Sequence, residues 1–118
     1  MPIKRGEIYW VDFGNTVSAV GSEQAGERPA VIIQNDVGNE SSPVTIIAPI
    51  TSKMYSKIFP TNVVVHSGVG GLSMDGTILL NQIRTIDKTR IKERIGKLPD
   101  QIMKKVDDAI KTSLGLDV

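Results

Sequence analysis

Six short apolar, β-branched runs, each closed by a turn cluster, precede a single stretch of helical periodicity at the C-terminus. In the first, Gly6–Phe13, Tyr9, Val11 and Phe13 alternate with Ile8 and Trp10. Aromatic and β-branched residues at period two build a strand, and the three aromatics read as core. Pro29–Asn35 is apolar on both faces, as a central strand is, with Pro29 at its first position, where a missing N–H costs least. Val44–Ile50, Thr61–Ser67 and Thr77–Asp87 supply three more strands, and Ile91–Leu98 a short sixth. Between them lie a Gly-rich polar loop over 14–27, a turn cluster over Asp36–Pro43, a polar, basic loop beginning at Thr51 and a turning segment, GVGGLSMDG. Asp87 suits the cap of one further turn. The tail sets Ile102, Met103, Val106, Ala109, Ile110 and Leu114 on one helical stripe. Pro99 fits the first helical position and Gly115 the exit. Short strands joined by turns, then one helix, predict a mainly β fold: a small antiparallel barrel with a C-terminal helix, one domain over 1–118.

The chemistry available is narrow. The 118 residues include no cysteine and one histidine, His66. That removes disulfides, cysteine-based zinc sites and any mechanism needing two histidines. A Ser-His-Asp triad would have to use His66, which ends a Val-rich strand and reads as a lone surface histidine. The glycines of GVGGLSMDG lack the Lys-Ser/Thr of a phosphate-binding loop and serve a turn. No stretch has the length of a membrane span, and MPIKRGEIYW has no apolar signal region, so a cytoplasmic protein is expected. The net charge is only +1, but it is unevenly spread: residues 51–97 carry eight basic and three acidic side chains, while residues 1–50 carry three and six. The middle of the chain is a candidate surface for a polyanion, or an ordinary solvated face.

Arg28 stands where the 14–27 loop enters the second strand. Its guanidinium offers a fork of donors that matches phosphate, and beside a reacting phosphodiester it would stabilise developing charge. The other reading is a structural arginine paired with Glu23 or Glu27. Thr51 follows the third strand, so its hydroxyl either points to the same rim or starts a turn with Ser52. Gln82 and Arg84 lie two apart on the fifth strand and therefore share a face, either solvated or a site.

KRGEIYWVDF, GSEQAGERPAVIIQND, Pro49–Ser52 and ILLNQIRTID occur in that order over nearly the whole chain. Together they resemble the MazF/PemK family of toxin ribonucleases. The resemblance implies an SH3-like barrel that forms a homodimer and binds single-stranded RNA, mainly mRNA, along a groove across the interface. It implies cleavage at short sequences with no metal or cofactor, and inhibition by a MazE-like antitoxin carrying a flexible acidic segment. The family's G-x-R-P arginine falls on Arg28 and its P-x-T threonine on Thr51, the two expected catalytic residues. Ser22, Glu23 and Gln24 of the GSEQ loop, Ser52, and Gln82 and Arg84 of the Q-I-R strand are the expected RNA contacts. Ala25 replaces a usual glycine and Asn81 a usual acid.

The chemistry agrees with that resemblance. RNA carries its own nucleophile, the 2′-hydroxyl, so a protein need only align the strand, remove a proton, stabilise the phosphorane and protonate the 5′-oxygen. Arg28 serves as phosphate stabiliser, Thr51 as hydrogen-bond donor, and Glu23 is the nearby carboxylate considered as base. Two other readings are a non-cleaving toxin on the same barrel that poisons DNA gyrase, and a non-catalytic SH3-like module. The second usually displays aromatic side chains, which are only 4% of this chain.

Overall fold

The computed structural model describes residues 2–14 and 24–116. Seven strands form one antiparallel system: β1 (Glu7–Asp12), β2 (Glu27–Ile32), β3 (Val44–Thr51), β4 (Asn62–Val65), β5 (Gly76–Leu79), β6 (Arg84–Asp87) and β7 (Ile91–Lys97). Their order is β4-β5-β3-β2-β1-β7, with β6 added to β3. Among the described residues two α-helices complete the fold, α1 (Asp36–Ser41) and α2 (Asp100–Leu114).

The sheet curls but does not close: no ladder among the described residues joins β4 to β7. The expected barrel is therefore an open one. Beside β7 lies a 3-10 turn, Val69–Gly71, in place of another strand. Gly70 and Gly71 adopt left-handed backbone there (φ 64° and 84°). A Cβ on Gly71 would stand 2.4 Å from the Ile95 carbonyl oxygen, so this turn lies backbone against backbone on β7.

Side-chain alternation sorts the core into two clusters. Ile8, Val31, Ala48 and Ile50 point to one face, where they meet Val106 and Ala109 of α2 and Leu98 before it. Tyr9, Val11, Ala30, Ile32 and Ile47 point to the other, with Phe13 and Ile86. The central strands are thus apolar on both faces, as read from Pro29–Asn35.

Several boundaries differ from expectation. The turn cluster at Asp36–Pro43 contains α1, capped by Asn35, whose Oδ1 accepts from Gly38 N at 2.8 Å. The expected strand Thr77–Asp87 is broken into β5 and β6 by a turn in which Gln82 N donates to Leu79 O at 3.1 Å. β2 begins at Glu27, so Pro29 is its third residue. Pro99 precedes α2 as its cap, and Leu114 of the expected stripe is 59% exposed. The remainder of that stripe is buried or half-buried. Gly115 ends α2 in left-handed backbone, and Leu116 N closes onto Lys111 O at 2.8 Å. Asp87 caps the 3-10 turn Lys88–Arg90 as expected.

Arg5 ties the chain start to both helices. Its Nη2 pairs with Asp107 of α2 at 2.5 Å, and its backbone N donates to Asp36 of α1 at 2.7 Å. The described helices include none long and apolar enough to cross a membrane.

Candidate active-site cleft

The β2–β3 ladder pairs Ile32 with Ile47, Val31 with Ala48 and Ala30 with Pro49, and stops there. Continued in that register, it would pair Pro29 with Ile50 and Arg28 with Thr51. Instead β3 leaves β2 and pairs Ile50 and Thr51 with Ile78 and Thr77 of β5. The two prolines at the divergence, Pro29 and Pro49, have no N–H to extend a ladder. The gap between the separated strands is the mouth of a cleft of about 510 Å³, and Arg28 and Thr51 both line it. Two residues from distant loop ends of the sequence thus face one space because a ladder that would have joined them is interrupted.

Arg28 is exposed, and its Nε donates to the Ala25 carbonyl at 3.1 Å. Among the described residues no carboxylate pairs with it, Glu27 included. Thr51 is half-buried, and its Oγ1 accepts from Lys53 N at 3.2 Å, which leaves its own proton to donate into the cleft. The Lys53 carbonyl is held in turn by Thr77 Oγ1 at 3.1 Å. Ser52 also lines the cleft.

The wall formed by β7 is organised by Glu7. Its carboxylate accepts from Lys4 N at 2.6 Å, from the Tyr9 hydroxyl at 3.1 Å and from Arg94 Nε at 2.9 Å. Burial and the adjacent Glu7 carboxylate push the Tyr9 phenol above its ordinary value, so it stays a donor. Arg94, fixed in this way, lines the cleft together with Asp75. Asp75 Oδ1 accepts from Ser67 N at 2.7 Å and lies 3.8 Å from His66 Nδ1. His66 itself is a surface residue at the end of β4, as read. Among the described residues, no three His, Asp or Glu side chains converge as a metal would require.

Other expected contacts lie elsewhere. Gln82 sits in the turn between β5 and β6, so the argument that it shares a strand face with Arg84 fails. Neither lines the cleft. Arg84 stacks its guanidinium over the Phe13 ring, 5.4 Å from the centroid. Arg90 Nη1 reaches the Asp12 carbonyl at 3.1 Å. Both cations brace the end of β1, where Phe13 N donates to Gly26 O and Gly26 N to Gly14 O. Gln24 is half-buried and outside the cleft lining. Ser22 and Glu23 lie outside the described residues. The basic middle of the chain is therefore partly structural: Arg84, Arg90 and Arg94 have the partners given, and Lys88 Nζ binds the Asn39 carbonyl. Lys53 and Lys57 stand on the exposed connection after Thr51.

Trp10, read as core, is 40% exposed and lines the cleft, as does Met74 at 60%. The period-two pattern of β1 put Trp10 on the face of Ile8 but did not show that the core stops short of it.

The profile of the family described as PemK-like, MazF-like toxin of type II toxin-antitoxin system matches residues 4–114. Endoribonuclease EndoA of Bacillus subtilis (strain 168) is 46% identical over 116 residues, 98% of this chain and 97% of that protein. Among solved structures, MazF from Deinococcus radiodurans superposes with a TM-score of 0.80 at 24% identity, covering 98% of this chain and 99% of that one. An endoribonuclease in complex with its cognate antitoxin, from a mycobacterial species, gives 0.81 at 22% identity and 98% coverage of each chain. These likenesses match the mainly antiparallel sheet with its C-terminal helix. The chain belongs to the PemK-like, MazF-like family of type II toxin–antitoxin toxins.

Proposed function

We propose that this chain is an endoribonuclease toxin that cuts single-stranded RNA, mainly mRNA, at short sequences, through attack of the RNA 2′-hydroxyl on the adjacent phosphate. The kinship with an enzyme named as an endoribonuclease, at 46% identity over nearly the full length of both, supports the activity and weakens the gyrase-poison and binding-module readings. The convergence of Arg28 and Thr51 on one cleft carries the chemistry.

Arg28 donates its Nε to the Ala25 carbonyl, and its terminal N–H groups are the donors that would reach a phosphate. It stabilises the charge that grows on the phosphoryl oxygens as the 2′-oxygen bonds to phosphorus and the 5′-oxygen leaves. Its pKa makes it a poor acid or base, so its role is electrostatic. Thr51 donates its hydroxyl proton to a phosphate oxygen, while its accepted bond from Lys53 holds the rotamer. The 2′-hydroxyl proton passes to solvent water and the departing 5′-oxygen takes one up from it, so the products are a 2′,3′-cyclic phosphate and a 5′-hydroxyl. Since the nucleophile belongs to the substrate, this route needs no metal-activated water. The working unit is a homodimer, and a cognate antitoxin with a flexible acidic segment inhibits it by covering Arg28 in the cleft. An endoribonuclease of the same fold solved in complex with its cognate antitoxin supports the existence of such a partner.

The test is incubation of a long single-stranded RNA with the protein in excess EDTA, beside an Arg28→Ala control. Discrete cuts with 5′-hydroxyl ends, absent from the control, are expected. Intact RNA with folded protein, or cuts that survive in the control, would overturn the proposal.

A further inference from the structure

The cleft beside Arg28 is larger and more apolar than a phosphate site requires. Ile50 and Leu72, both members of the core that packs on α2, surface in its lining, so the cleft is the open mouth of that core. At this mouth stands Trp10, the only tryptophan of the chain. Three features fix it there. Its strand neighbours Tyr9 and Val11 are buried at 1% and 0%, so the backbone under it is rigid. Its cross-strand neighbour is Pro29, one residue from Arg28. The β1–β7 register slips between Tyr9 and Val11, which leaves Trp10 without a partner on β7 and its ring open to the cleft. Met74 offers a second exposed apolar surface in the same lining.

We infer that this cleft is a nucleobase subsite, in which the base of one nucleotide flanking the scissile phosphate leaves the stacked strand and packs on the Trp10 indole. This rests on the ribonuclease reading above and names a substrate-binding residue for it. A strand whose phosphate lies on Arg28 carries a flanking base into the space that Trp10 lines, because both side chains border the same cleft. An indole accepts any base by its π-face, and stacking of this kind contributes substantially to single-strand binding. At about 510 Å³ the cleft lies in the range of sites that hold small ligands, about 300–1,000 Å³. Turning one base out also breaks the stacking that keeps the 2′-hydroxyl away from in-line geometry, so the subsite serves alignment as well as affinity.

The single tryptophan makes the test direct. An oligonucleotide of the mapped cut sequence, with 2′-deoxyribose at the cut so that it binds uncut, is titrated into the protein. Its binding is expected to quench the intrinsic fluorescence. Removing the base at one position flanking the cut should abolish the quench and raise KM by about 5- to 100-fold, the span of a stacked base. Abasic substitution further away should do neither. Trp10→Ala should raise KM for the parent RNA by the same factor, and should leave the flanking abasic RNA no worse a substrate than it already is. Trp10→Phe should restore most of the loss, which separates stacking from a folding defect. Normal cleavage with unchanged fluorescence at saturation, or a Trp10→Ala protein with parental KM, would overturn the inference and leave the ribonuclease reading intact. No cleavage by the parent protein would overturn both.

Discussion

Gly96 of β7 meets the backbone of Gly70 so closely that a Cβ on Gly96 would stand 2.1 Å from the Gly70 carbonyl oxygen. The contact is made where the open sheet replaces a closing strand with a turn, and that turn runs on into Gly71–Gly76, one wall of the cleft. A Cβ on Gly96 would meet backbone atoms and no flexible side chain, so backbone has to move if Gly96 is replaced.

Gly96→Ala is therefore expected to destabilise the protein by about 1–3 kcal/mol, the range for overpacking a fixed contact. It should also weaken RNA binding, since the displaced wall carries Met74 and Asp75. Thermal unfolding and KM are the measurements; an alanine variant with parental Tm and KM would contradict the packing described.

Asn39 is the second structural prediction. It is 2% exposed, and its amide is fully used: Nδ2 donates to Gln34 O at 2.9 Å, and Oδ1 accepts from Thr45 Oγ1 at 2.7 Å. Asn39→Ala leaves the buried Thr45 hydroxyl and the Gln34 carbonyl without these partners. The expected cost is about 2–4 kcal/mol, read as a lower urea midpoint at unchanged slope. Since α1 contributes nothing to the cleft, cleavage per folded molecule should be unchanged.

The pH dependence of stability has a definite sign. The Arg5 backbone N–H, then the Asn39 side chain, hold Asp36 below its ordinary value of 3.8. The Thr89 backbone N–H, then its hydroxyl, do the same for Asp87. A lowered folded pKa means the unfolded chain binds protons first, so this stabilisation is complete above the ordinary carboxylate value and is lost as pH falls through the folded values. The unfolding midpoint should drop as pH is lowered below about 4. Asp87→Asn should flatten that slope, and an equally steep slope in the variant would reject the assignment.

The C-terminal helix was legible because an apolar stripe, an N-terminal Pro-Asp and a C-terminal Gly agree with one another. Arg28 and Thr51 stood out as a polar arginine entering an apolar strand and a threonine leaving one. The residues left their meeting as one of two readings, because it depends on the β2–β3 ladder stopping at Ala30 and Pro49, a property of three strands together. The break between β5 and β6 was hidden for a local reason. ILLNQIRTID contains no glycine or proline, and its turn is held by backbone alone. Arg84 looked like a nucleic-acid contact because its partner, the Phe13 ring, lies 71 residues away in the chain.

The cleft residues themselves separate charge from geometry. Arg28→Lys keeps the positive charge but loses the planar fork, and loss of one well-placed transition-state donor costs about 100- to 1,000-fold in kcat. If Arg28 acts on the phosphoryl oxygens, the lysine variant should lose rate by that order while KM changes little. Thr51→Val removes the hydroxyl at nearly constant volume, and Thr51→Ser returns it. The valine variant should lose about tenfold or more in kcat, with the serine variant recovering most of it, as one donated hydrogen bond to a charged group requires. Because Thr51 Oγ1 also accepts from Lys53 N, part of any loss is positional. That part appears in KM and in Tm, and the donated bond appears in kcat alone. A valine variant with full kcat would remove Thr51 from the chemistry and leave Arg28 to carry it.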